Sequence, residues 1–211
     1  MRSDVGSRIA QGEVVAADEF LRGDPRSQRP DLQSTIDVVA GLAVADKVPE
    51  SVRDQLRISK SVFLSGFLVY ELYTVSLLHG AIAVETALKE LFFSRLSFPL
   101  TLARGKKAAR ESKRLAREDL SPESLFELLW DGWRVDTRAD FNGSFATLIK
   151  WAAEENLLPV ERLDAVREWR NATAHGGPIQ VVTQGMALSG LASIVEIINH
   201  LFASWGSGTA L

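Results

Sequence analysis

The chain has 211 residues, 46% hydrophobic and 24% charged, with a net charge of −3, which is long enough for one well-buried domain with an appendage and too short for two large ones. It has no cysteine, and its three histidines, His79, His175 and His200, lie far apart. That excludes a disulfide scaffold, thiolate metal sites and a clustered histidine site, so a zinc enzyme is not expected. The net acidity argues against a general nucleic-acid binder.

In chain order, residues 1–48 alternate short apolar groups with Gly, Pro, Asp and Ser and predict a loosely packed N-terminal extension with a short helix near Thr35–Ala45. The first twenty residues carry no apolar core of the kind a secretory signal needs, so a cytoplasmic protein is expected. At "VPESVRDQLRISK", Pro49 sits near a first helical turn with Glu50 and Asp54 at its positive end. From Ser61 about 36 residues run without proline, apolar nearly all round at first and amphipathic later, which predicts one long central helix. Glu71, His79 and Glu85 interrupt its apolar run, favouring a buried core helix over a membrane span.

Between Arg104 and Arg117 seven basic residues face a single acid, Glu111, so this stretch carries +6 and the rest of the chain −9. Lys106, Arg110, Lys113, Arg114 and Arg117 have the spacing of one stripe on a helix, able to track phosphates together with Lys107. The alternative is a solvated face, because no aromatics interleave the charges in the sequence as single-strand stacking requires. Ser121 and Pro122 then read as the cap and first residue of a helix. "DGWRVDTRADFNG" reads as a loop, and helices follow at about 144–156 and from Pro159 to the Gly176 stop. A last apolar helix starts at about Thr183, before a tail at 207–211. "PIQVVT" is the one candidate strand, and it is short. The five tryptophans, Trp130, Trp133, Trp151, Trp169 and Trp205, are read as core or dimer contacts rather than stacking platforms. His79 and His200 are read as satisfied core residues. The expected fold is an all-α bundle over 49–206.

The segment Arg170-Asn171-Ala-Thr-Ala-His175 resembles the R-x(4-6)-H motif of the HEPN (higher eukaryotes and prokaryotes nucleotide-binding) superfamily, in the form with a polar residue after the arginine. The helix-loop "LI…AAEENLLP" before it, the final helix after it and the earlier pattern "AIAVETALKELF" are similar to that family's layout. The resemblance spans residues 61–205, about two thirds of the chain. It implies a HEPN-like bundle and a metal-independent endoribonuclease leaving 2′,3′-cyclic phosphate and 5′-hydroxyl ends. Neither cofactor nor metal is implied. RNA is the implied partner, in a toxin or a defence effector with a possible antitoxin or defence-system protein beside it. The alternative is a HEPN-like module that binds nucleotide, RNA or protein without cutting; a lesser one is peripheral membrane binding through residues 61–78.

The residue types suit such chemistry. A histidine with a near-neutral pKa can take the 2′-hydroxyl proton and protonate the leaving 5′-oxygen, the role expected of His175. Arg170 can fork onto the scissile phosphate and stabilise the charge of the transition state. Asn171 would orient the histidine or contact the phosphate. Glu85 matches the polar residue that borders the site in such proteins, although Glu85 and Lys89 are also an ordinary i, i+4 pair. Residues five apart lie about 140° around a helix, so Arg170 and His175 of one chain do not share a face. Either the helix ends between them, or two copies meet across a two-fold axis to form a composite cleft, and a homodimer is expected.

Overall fold

A computed structural model describes residues 32–105, 111–138, 140–174 and 182–203. The chain is mainly helical with a small three-stranded sheet. The helices are α1 (Leu32–Gly41), α2 (Glu50–Ser65), α3 (Leu72–Ser94), α4 (Pro122–Trp130), α5 (Phe145–Glu154), α6 (Val160–Ala174) and α7 (Gln184–Ala203). The strands are β1 (Leu100–Arg104), β2 (Glu111–Leu115) and β3 (Arg134–Val135), in the order β2-β1-β3 and antiparallel throughout. The chain divides into two compact units, residues 1–84 with 168–211, and residues 85–167.

In the first unit, α2 turns Val52, Leu56, Ser59 and Phe63 inward, at i, i+4, i+7 and i+11, the spacing of one helix face. The buried Ser59 hydroxyl donates to the Ser76 carbonyl at 2.7 Å. A Cβ on Gly80 would lie 2.4 Å from Ile194 Cδ1, and one on Gly190 would lie 2.8 Å from Leu77 Cδ2. These two glycines let α3 and α7 approach where larger residues would hold them apart. α7 buries Ala187, Leu191, Ile194, Ile198 and Leu201 on its inner face. It is also the one described helix with the length and apolarity of a membrane span, and 44% of its apolar window is buried inside the protein. A core helix has the same composition.

The expected single central helix is two. The chain leaves helix at Gly66 and re-enters at Leu72, with Glu71 exposed in the turn. The break lets Tyr73 fold back onto Phe63, ring centroids 5.1 Å apart, and meet Tyr70 edge-on at 5.4 Å. A Cβ on Gly66 would lie 2.6 Å from the Tyr73 ring, so no larger residue fits there without displacing it.

The extension is not loose over residues 32–48. Ala45 N–H donates to Asn199 Oδ1 at 2.8 Å, Asn199 Nδ2 donates to the Ala43 carbonyl at 3.1 Å, and the Lys47 ammonium donates to the Ala203 carbonyl at 2.6 Å. Val39 and Val48 are buried. The helix expected at Thr35–Ala45 is α1, a few residues earlier. Between α1 and α2 lies an apolar groove of about 370 Å³, lined by Ile36, Val39, Leu56 and Leu64 with Lys60 among them. The Lys60 ammonium donates to the Leu42 carbonyl, and burial lowers its pKa from the usual lysine value. Residues 1–31 and the tail lie outside the described residues.

The second unit is built on aromatics. Phe92 of α3 stacks on Phe141 (4.0 Å, 9° between planes) and meets Trp151 and Phe126 edge-on at 5.2 and 6.1 Å. Such pairs add about 0.5–1.5 kcal/mol each beyond the area they bury. Ser121 caps α4 through its hydroxyl, as its sequence position predicts, and Ser144, where the next helix is expected to begin, caps α5 in the same way. Beyond α5, Asn156 takes a positive φ of 54° and the Leu157 N–H donates to the Ala152 carbonyl at 2.9 Å, a left-handed helix stop that asparagine tolerates.

The sheet departs from the all-α expectation. Leu100, Leu102, Leu115 and Val135 are buried, and the register Leu100↔Leu115 and Leu102↔Val135 puts all four on one face. Strands of five, five and two residues are too short for a period of two to stand out in sequence. The loop expected over "DGWRVDTRADFNG" accordingly contains β3.

Candidate functional site

α6 carries two of the three motif residues in its last turn. It stays helical through Ala174, so no helix end falls between Arg170 and Ala174. Arg170 Nη1 donates to Asn171 Oδ1 at 3.2 Å, with both side chains half-buried. The bond leaves the Asn171 carboxamide nitrogen as a donor. The turn is braced by the Thr173 hydroxyl, which donates to the Trp169 carbonyl at 2.9 Å. His175 lies outside the described residues, as does most of "PIQVVT". The arrangement offers a fixed positive charge and a carboxamide donor side by side, which suits an anionic oxygen.

Glu85 belongs to the second unit. It is buried and receives the Lys89 ammonium at 2.9 Å, the i, i+4 pairing that its spacing allowed. Lys89 Nζ also stands 5.0 Å over the Trp130 ring and 5.4 Å over that of Phe126.

The expected helical stripe of cations is a β-hairpin. Arg104 ends β1, Lys113 and Arg114 lie in β2, and Arg117 begins a 3-10 turn at Arg117–Asp119. Alternation along a strand sends neighbouring side chains to opposite faces, so Lys113 shares the face of Arg104 and Arg114 lies on the other. Arg104 pairs with Glu111 at 3.1 Å, and Arg117 lies 5.6 and 5.5 Å over the rings of Phe93 and Phe98. Lys106, Lys107 and Arg110 lie outside the described residues. Charge content alone favoured no strand; the buried Leu100, Leu102 and Leu115 supply the reason for one.

Three other sequence readings change. Trp130 is 64% exposed, whereas Trp151 is core as expected and Trp205 lies outside the described residues. His200 is exposed rather than buried. His79 Nδ1 is buried with no hydrogen-bond partner, so that ring nitrogen is not satisfied.

A polar cleft of about 320 Å³ lies in the second unit, lined among others by Arg138, Asp140, Thr147, Lys150 and Glu154. Its cations are already answered: Arg138 pairs with Glu154 and Glu155 at 3.4 and 3.0 Å, and Lys150 with Glu154 at 3.9 Å. It therefore offers a phosphate little uncompensated charge.

No family model, characterised protein or solved structure matches this chain.

Proposed function

We propose that the protein is a metal-independent endoribonuclease of the HEPN type, in which Arg170 binds the scissile phosphate, His175 moves the protons and Asn171 orients them. The observation that carries this reading is the Arg170–Asn171 hydrogen bond in the last turn of α6. It holds a guanidinium and a carboxamide together immediately before His175 in the chain, with the apolar helix α7 following, the order that the motif resemblance implies. Loss of the 2′-hydroxyl proton and gain of one by the 5′-oxygen need an acid-base group at the phosphate that the arginine holds. Because α6 is helical through Ala174, no helix end falls between Arg170 and Ala174, and we take the composite cleft from two copies as the way the motif is completed. The large apolar residues of 61–94 are among none of the exposed ones, and of α7 only Met186 is exposed, so the dimer rests on the motif geometry rather than on an apolar surplus. A toxin or defence-effector role, with a partner protein that restrains it, fits a cell's need to control such cleavage.

The test is purified protein incubated with total RNA in EDTA, wild type beside His175→Ala. Cleavage by the wild type alone, ending in 2′,3′-cyclic phosphate, supports the reading. Equal cleavage by both, or none by either with RNA still bound, replaces it with the binding-module alternative.

A further inference from the structure

The fold brings aromatics to the basic hairpin from a part of the sequence that does not interleave with it. α4 ends at Trp130, and Gly132, at φ 92°, turns the chain: its N–H donates to the Leu129 carbonyl at 3.2 Å and the Trp133 N–H to the Leu128 carbonyl at 3.0 Å. This left-handed stop, which glycine permits, swings the chain into β3. β3 pairs with β1 through Ala103↔Arg134, so Trp133 arrives beside the end of β1. There the Arg104 guanidinium lies 5.0 Å over the Trp133 ring, and its Nη2 pairs with Glu111 at 3.1 Å. Lys113, exposed on β2, shares this face of the sheet. Three positions back from Trp133, the Trp130 ring has the Lys89 ammonium over it and is 64% exposed. Three residues span at most about 11 Å between their Cα atoms, so the two tryptophans leave the chain close together.

We infer that this surface of the second unit binds a single-stranded RNA by stacking bases on Trp130 and Trp133 and meeting a phosphate with Lys113, while Lys89 and Arg104, each answered by a carboxylate, hold the rings. That the strand is RNA rests on the function proposed above; that it is single-stranded rests on the surface itself. A base in a duplex is already stacked on both sides and cannot lie on an indole, whereas every unpaired base has a face to offer. A cation held against each ring fixes it in place, and the exposed Trp130 offers surface for a base. Glu85 serves this surface by anchoring Lys89 through their 2.9 Å pair. Of the cations expected to form a helical stripe, Lys113 lies on this face and Arg114 on the other.

The experiment uses the full chain carrying His175→Ala, so that binding is measured without cleavage, and a fluorescein-labelled oligouridylate of about ten nucleotides. Anisotropy titrations at several salt concentrations are compared with a duplex RNA of equal length, and tryptophan emission is followed. The expected result is tighter binding of the single strand, quenching of emission, and about tenfold weaker binding for Trp130→Ala with an unchanged salt slope, partly restored in Trp130→Phe. Lys113→Gln should flatten the salt slope by about 0.7, the value of one phosphate contact on a single strand. Binding of Trp130→Ala equal to that of its parent, preference for the duplex, or a Trp130→Ala that only turns an oligomer into a monomer overturns the inference. Cleavage of total RNA by the wild type is scored separately, so failure of the stacking surface and failure of the nuclease reading give different results.

Discussion

Arg170 Nη1 and Asn171 Oδ1 are 3.2 Å apart in the last turn of α6, so the guanidinium is oriented by its own neighbour in the chain. An oriented fork matters for a phosphate and not for a point charge. Arg170→Ala and His175→Ala should each reduce RNA cleavage by about a hundredfold or more, and Arg170→Lys should fail nearly as badly although it keeps the charge. Circular dichroism should be unchanged, since the residues lie at a helix end. Wild-type rates in Arg170→Lys would remove the phosphate-fork role.

Glu85 is buried against Lys89, with side chains only 11% and 21% exposed. Glu85→Gln keeps the shape and removes the charge, so a charged hydrogen bond weakens and the thermal midpoint should fall, by about 2 kcal/mol in stability. Cleavage should drop far less than in His175→Ala. A loss of cleavage as large as that of His175→Ala, with stability unchanged, would make Glu85 a catalytic residue.

The α3–α7 crossing gives two opposite signs from one type of residue. A Cβ at Gly80 would meet Ile194 at 2.4 Å, while one at Gly185 meets nothing within 4 Å. Gly80→Val should destabilise by about 1–3 kcal/mol through overpacking. Gly185→Ala should stabilise by about 0.5 kcal/mol by restricting the unfolded chain. Urea midpoints for the two variants that move in the same direction would contradict the packing described here.

Lys60 is held below its usual pKa of 10.5 by burial. Between the lowered folded value and 10.5 the unfolded chain still binds a proton that the folded chain has released, so stability rises with pH across that window. The contribution is complete above the unfolded value and is lost as pH falls through the folded one. Lys60→Met lacks the group, so the stability of the wild type relative to this variant should grow as pH rises toward 10.5. A difference that stays constant over that range would mean that the ammonium keeps its water in the folded state.

The dimer has a direct check. Light scattering at micromolar concentration should give twice the chain mass, falling on dilution together with RNA cleavage. A monomer mass at every concentration that cleaves at full rate would show that one chain completes the site.

Local signals were legible in the sequence wherever a helix announced its own ends. Ser121 as a cap, the helix start near Ser144, α6 ending close to the motif and α7 starting after Thr183 all follow from short-range hydrogen bonding, which a few neighbouring residues decide. Arg170 and Asn171 are singled out by the motif resemblance, and their contact needs no more than neighbouring positions on a helix. Tertiary contacts decided the rest. The break at Gly66 exists because Tyr73 folds back onto Phe63, a contact that apolar periodicity does not encode. The basic stretch read as a helical stripe became a hairpin because Leu100, Leu102 and Leu115 are buried together across strands, and burial outweighs the weak preference of a charge run. The sequence places no aromatic among those cations; Trp133 comes to rest under Arg104 only because β3 pairs with β1, a long-range pairing that no window along the chain contains.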